Sequence, residues 1–101
     1  MKGKEKDHLK AAAIKDLRRI PGVGVSIAND LLNIGISSVS QLKGKDPQKI
    51  YDASNKYAGA VQDPCVLYTF RCAVYFADTP LEQQEQELLK WWNWKNKDYR
   101  R

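Results

Sequence analysis

Leu17-Arg18-Arg19-Ile20-Pro21-Gly22-Val23-Gly24-Val25-Ser26-Ile27-Ala28-Asn29-Asp30-Leu31-Leu32 is the segment from which the rest of the chain can be ordered. Leu17 and Ile20 close one helix on an apolar face. Pro21 lacks the N–H that a helix would need next, so it stops that helix. Gly22 and Gly24 allow backbone angles closed to other residues, so two helices can be joined in a very short turn. Val23 points inward and pins the turn. Ala28 is small where the second helix packs close to the first, and Ile27, Leu31 and Leu32 complete the shared core. The turn has little side-chain bulk, so an anion can approach its backbone. The amides of Gly22, Val23, Gly24 and Val25 can face outward there, at the positive end of the second helix. Ser26 adds a hydroxyl donor. Arg18 and Arg19 are the nearest cations, and at the end of the first helix they also suit its negative end.

Outward from this turn, prolines and glycines mark the ends of helices. Residues 7–19 read as a helix capped by Asp7, with Leu9, Ala13, Leu17 and Ile20 recurring on one side. A second runs from about 25 to 33 and is closed by Gly35. A short helix follows at about 38–43, with Ser37 or Ser38 as cap and Val39 and Leu42 inward. Asp46-Pro47 is a cap followed by a first-turn proline and opens a helix over 47–57, whose buried stripe is expected to be Ile50, Ala53 and Tyr57, with Tyr51 at its edge. Asp63-Pro64 repeats that signal before CVLYTFRCAVYFA, an apolar run that reads as a central helix buried on nearly all sides; its aromatic and β-branched residues also suit a strand. Residues 81–92 read as a polar helix with Leu81, Leu88, Leu89 and Trp92 on its apolar side. The expectation is an all-α protein of five or six short helices, one domain over residues 1–80 with a C-terminal helix and Trp-rich basic tail, 81–101, packed on it.

With 101 residues the chain is too short for a two-domain enzyme, an eight-stranded α/β barrel or a full dinucleotide-binding fold. At 43% hydrophobic and 29% charged residues it can bury a core. No apolar run approaches the ~20 residues that span a membrane. The basic start MKGKEKDHLK lacks the apolar stretch of a secretory signal, so the expected location is the cytoplasm and no membrane partner is expected. Net charge is +5, with the positive charge at the two ends: residues 1–20 and 90–101 each carry a local +4, 21–79 are neutral, and Glu82, Glu85 and Glu87 give 80–89 a local −3. Basic ends suit a polyanion; solvated termini produce the same pattern. Cys65 and Cys72 are seven apart, two turns along a helix and too far for a disulfide, and read as small buried hydrophobes. One histidine, His8, and no further ligands argue against a metal site. Asp46 and Asp63 are explained as caps, and no nucleophile–base pair is visible, so neither an enzyme nor a cofactor is expected.

The pattern apolar, Pro, Gly, apolar, Gly, three residues, Ala, carried by Ile20-Pro21-Gly22-Val23-Gly24 and Ala28, resembles a helix-hairpin-helix motif. In those families the turn grips the DNA backbone without reading sequence. The resemblance therefore implies phosphate contacts that position without specifying bases. It makes Gly22, Val23, Gly24, Val25, Ser26, Arg18 and Arg19 the candidate DNA-binding set, double-stranded DNA being favoured over RNA. The best binders of that kind often carry Lys or Arg just after the second glycine, where this chain has Val25 and Ser26. Residues 16–79 are similar to a small bacterial helix-hairpin-helix family labelled pathogenicity locus proteins. The shared features are Gly35-Ile36, Leu42-Lys43-Gly44, Asp46-Pro47 and Gln62-Asp63-Pro64-Cys65-Val66-Leu67, with the ending Leu89-Lys90-Trp91-Trp92-Asn93-Trp94-Lys95. The domain also resembles the C-terminal domain of bacterial competence-regulator proteins. These resemblances imply a SAM-like core of paired hairpins, the second of which, residues 58–63, has lost the Gly-x-Gly and is not expected to bind phosphate.

Trp91, Trp92 and Trp94 lie among Lys90, Lys95 and Lys97. Aromatics interleaved with cations suit stacking on bases, and tryptophan also anchors protein interfaces. Trp91 and Trp94 are the candidate partner or stacking contacts. A small core would also recruit Trp92 and one neighbour, and at least one tryptophan is expected to stay partly exposed. The competing function is a protein-interaction module in which the hairpin is scaffold and this tail makes the contact.

Overall fold

The computed structural model describes the backbone of residues 2–98 and the side chains of residues 8–98. It contains four α-helices: α1 (Lys2–Leu17), α2 (Val25–Asn33), α3 (Pro47–Ala58) and α4 (Pro64–Asp78). No strand occurs among the described residues. The ends obey the local rules. α2 closes on a paired 6→1 and 5→2 arrangement, with Ile36 N–H donating to Leu31 C=O at 2.9 Å and Gly35 N–H to Leu32 C=O at 3.0 Å. Gly35 sits at φ 89°, which suits glycine. Asp46 and Asp63 accept from the amides of Gln48 and Cys65 and cap α3 and α4, each followed by proline in the first turn.

α4 is the axis. One face, Phe70, Ala73, Val74 and Ala77, packs into the main core with Leu17, Ile20, Val23, Ala28, Leu31, Val39, Leu42 and Ile50. The other, Cys72 and Tyr75, packs against Trp94, with Leu88, Leu89 and Trp91 beside them. Burial on both sides is what its all-round apolar sequence requires. Asp16 ties the end of α1 into the body, its carboxylate accepting from the Val39 amide at 2.8 Å and from Arg19 at 2.8 Å. The Val39 bond, then Arg19, holds its carboxyl below the usual range.

Four α-helices form where five or six short helices were expected. The segment at 38–43 closes only as a 3-10 turn, Val39–Leu42, because it is too short for α-helical bonding between Ser38 and Gly44. Residues 81–92 are not one helix. They form the 3-10 turns Leu81–Gln83 and Gln86–Leu89, and a third, Trp91–Trp94, follows. Lys90, extended at φ −96° and ψ 112°, separates the last two turns, and Leu88, Trp91 and Trp94 all reach the Cys72–Tyr75 face of α4. Side chains of the body also compete for the backbone: Tyr75 Oη accepts from Glu85 N–H at 2.9 Å, and Trp94 Nε1–H donates to Leu88 C=O at 2.9 Å.

Several faces differ from the sequence expectation. α1 begins at Lys2, so Asp7 lies inside it rather than at its cap, and Leu9 is 70% exposed because only the last turns of α1 meet the body. The inward face of α3 is Pro47, Ile50, Tyr51 and Ser54, and Tyr57 is 64% exposed. The register turns toward Gln62, whose side chain donates to Ser54 Oγ at 2.8 Å and whose carbonyl accepts from Tyr51 Oη. Cys72 is buried, but Cys65, in the first turn of α4, is exposed.

Candidate nucleic-acid interface

Between α1 and α2 the chain descends through tight turns. Ile20 N–H donates to Leu17 C=O at 3.2 Å and Val23 N–H to Ile20 C=O at 3.1 Å. Leu17, Ile20 and Val23, three apart, all point into the core. Gly22, Gly24, Val25 and Ser26 remain exposed. Gly22 adopts φ 87°, and Gly24 caps α2 in an extended conformation, φ −97°. A Cβ on Gly24 would meet nothing within 4 Å, so the approach to the start of α2 is open.

Val23 drops out of the amide set expected to face outward, since its N–H is bonded to Ile20 and its side chain is core. Of that set Gly24 and Val25 lie at the start of α2, where the Ser26 amide, not among those expected, joins them at the positive end of a nine-residue helix with no side-chain cap and no acid in its first turn. The starts of α3 and α4 differ, because each is already occupied by its own aspartate. Around residues 58–63, where a second hairpin was expected, the Gln62 amide is bound by Asn55 Oδ1 at 2.9 Å, so that turn offers little to an anion. Arg18 is exposed and makes no ion pair among the described residues, whereas Arg19 is held by Asp16. The basic side chains at positions 2, 4 and 6, and Arg100 and Arg101, lie outside the described side chains.

The tail returns to this turn. The Trp91 ring lies on Gly22 so closely that an added Cβ would come within 2.9 Å of Trp91 Cδ1. The Cys72 thiol lies between the two segments, 3.9 Å from the Pro21 carbonyl and 3.6 Å from that of Leu88. Trp94, expected as an external contact, is 1% exposed and forms the centre of the second core. Arg71 fixes its backbone, donating to the Trp94 carbonyl at 2.7 Å and pairing with Asp98 at 2.8 Å. Trp91, the other expected contact, is half-buried against the turn. Trp92 is the outward one, 56% exposed and set edge-on to Trp91 at 5.7 Å.

Residues 10–100 match the pathogenicity locus family, nearly the whole chain. The protein belongs to that family. It is also similar to the mitomycin resistance protein McrB of Streptomyces lavendulae, 37% identical over 59 residues, which is 58% of this chain and 56% of that protein. The chain therefore spans little more than half the length of that relative. No solved structure matches. No helix among the described residues is long and apolar enough to cross a membrane.

In this pathogenicity locus protein Gly22, Gly24, Val25 and Ser26 are all exposed, Trp91 packs on Gly22, and the exposed Trp92 follows it in the chain. The sequence reading missed Trp92 because it put all of 81–92 on one α-helix. No spacing in the sequence singles it out; the burial of Trp94 against Cys72 and Tyr75 and the seating of Trp91 on Gly22 leave it outside.

Proposed function

We propose that this protein binds double-stranded DNA through its phosphate backbone, without reading base sequence, using residues 17–33 as a helix-hairpin-helix unit. The observation that carries this reading is the open start of α2. It combines an exposed glycine turn, no capping side chain and no acid in the first turn, whereas α3 and α4 consume their own N-termini. The Gly24, Val25 and Ser26 amides and the Ser26 hydroxyl donate to a phosphate, and Arg18 adds charge. The resemblance of the turn to DNA-gripping hairpins, and of the domain to a SAM-like paired-hairpin core like that of competence regulators, supports the same reading.

The test is fluorescence anisotropy of labelled duplex at about 50 and 200 mM salt, with wild type and Gly24→Asp. Asp fits at position 24, where there is room and an extended N-cap conformation that aspartate favours. It also puts a carboxylate where the phosphate would sit. Two or three phosphate contacts weaken binding roughly 10- to 40-fold over that salt range, and the substitution should abolish it. A folded Gly24→Asp protein that binds as wild type does would refute the hairpin mechanism. No binding even at low salt would favour the protein-interaction module, with the hairpin as scaffold.

A further inference from the structure

We infer that Trp92 is a stacking platform for an unpaired base, so that the preferred ligand is a DNA strand with exposed bases beside a duplex, such as a single-stranded tail or gap. The inference rests on the reading that the turn at the start of α2 holds phosphate. It adds the substrate class of that site.

The geometry supplies the second half of such a site. Trp91 seats on Gly22, and Trp92, the next residue, stands edge-on to it with rings 86° apart and 56% exposed, so an open indole lies one residue from the contact with the glycine turn. Its support is rigid. Trp94 is fully packed, its indole N–H is bonded to Leu88 C=O, and Arg71 clamps the backbone beyond it. An indole held this way loses little freedom when a base stacks on it. A large apolar face in water gains by being covered, and every base offers a π-face. The surroundings favour an anionic chain over an apolar partner. The turn offers amides, and Glu87 is neutralised by Lys90 at 3.0 Å. Lys95 makes no ion pair among the described residues, and Lys97 lies over the Trp94 ring at 5.7 Å. A phosphate at the turn and a flat ring at Trp92 are met together by a nucleotide whose base is free of its stack. In an intact duplex the bases are already stacked on each other and cannot reach it.

The experiment compares two labelled DNAs by anisotropy: a duplex with both ends closed by non-nucleotide linkers, which has no unpaired base, and the same duplex with a thymine tail at one end. Wild type, Trp92→Ala, Trp92→Phe and Gly24→Asp are measured on both, each checked for helicity. Wild type should bind the tailed DNA more tightly. Trp92→Ala should lose about 5- to 150-fold on the tailed DNA and little on the closed one, Trp92→Phe should retain most of the preference, and Gly24→Asp should lose both. If Trp92→Ala matches wild type on the tailed DNA while Gly24→Asp still abolishes binding, the stacking role is wrong and the backbone-binding function stands. If Trp92→Ala weakens both DNAs equally, Trp92 is a support for the turn and the inference also falls. If wild type binds neither DNA, both readings fall together.

Discussion

Replacing three glycines by alanine, one at a time, separates backbone strain from crowding at the turn. Gly22 has φ 87° and a Trp91 ring where its Cβ would go, at 2.9 Å from Cδ1 and 3.5 Å from Cγ. Gly35 has φ 89° with nothing within 4 Å, and Gly24 has neither constraint. An L-residue at such positive φ costs roughly 1–2 kcal/mol. The contact at Gly22 is with the near side of the indole, close to its own Cβ, so the ring cannot swing aside and the tail must shift. Overpacking of that kind adds roughly 1–3 kcal/mol. Gly22→Ala should therefore cost about 2–5 kcal/mol, Gly35→Ala about 1–2, and Gly24→Ala less than about 1. Against a total stability on the order of 5–15 kcal/mol, the first is readily measured. Urea unfolding followed by circular dichroism at matched slopes gives the three values. The crowding part must vanish when the ring is removed: in a Trp91→Ala background, Gly22→Ala should cost no more than Gly35→Ala does in wild type. Equal costs for Gly22→Ala and Gly35→Ala in wild type, or a Gly22→Ala cost unchanged without Trp91, would refute the contact between tail and turn.

Other outcomes follow from the same packing. Trp94→Ala should cost about 3–5 kcal/mol by opening a cavity against Cys72 and Tyr75, whereas the exposed Trp92→Ala should stay within about 0.5 kcal/mol; paired urea curves decide it. Asp16 has its folded pKa lowered by the Val39 amide and by Arg19. Its contribution is present above the unfolded carboxylate value and is lost as pH falls through the folded one. Asp16→Ala should therefore be destabilised at pH 7 by about 1–2 kcal/mol, with the gap to wild type closing in strong acid; a gap independent of pH would count against this bond. Burial pushes the Cys72 thiol up to about 11, while the exposed Cys65 thiol is raised by the Asp63 carboxylate. At pH 8 a thiol reagent should label one cysteine per native chain, Cys65, and both after unfolding; mass mapping of the labelled peptide checks it.

Local chemistry was legible wherever neighbours in sequence decide the outcome. Asp46-Pro47, Asp63-Pro64, Pro21 and Gly35 set helix ends because caps, missing donors and positive φ act within a few residues. The range of α2, Val25–Asn33, follows from them. The inward set Leu17, Ile20, Val23, Ala28 and Leu31 follows from periodicity. α3 shows the limit. Its stripe could pass through Ala53 and Tyr57 or through Tyr51 and Ser54, and the second is the one found, with Tyr51 packed in the main core and both side chains bonded to Gln62.

An all-helical chain with a glycine turn opening α2 follows from short-range sterics and the spacing of apolar residues alone. Which tryptophan faces out depends on packing between distant parts of the chain. Trp91 and Trp94 are drawn in by Gly22, Cys72 and Tyr75, partners some 15 to 70 residues earlier in the chain. That competition, settled by long-range burial against the local preference for a continuous helix, breaks 81–94 into 3-10 turns and leaves Trp92 exposed beside Trp91.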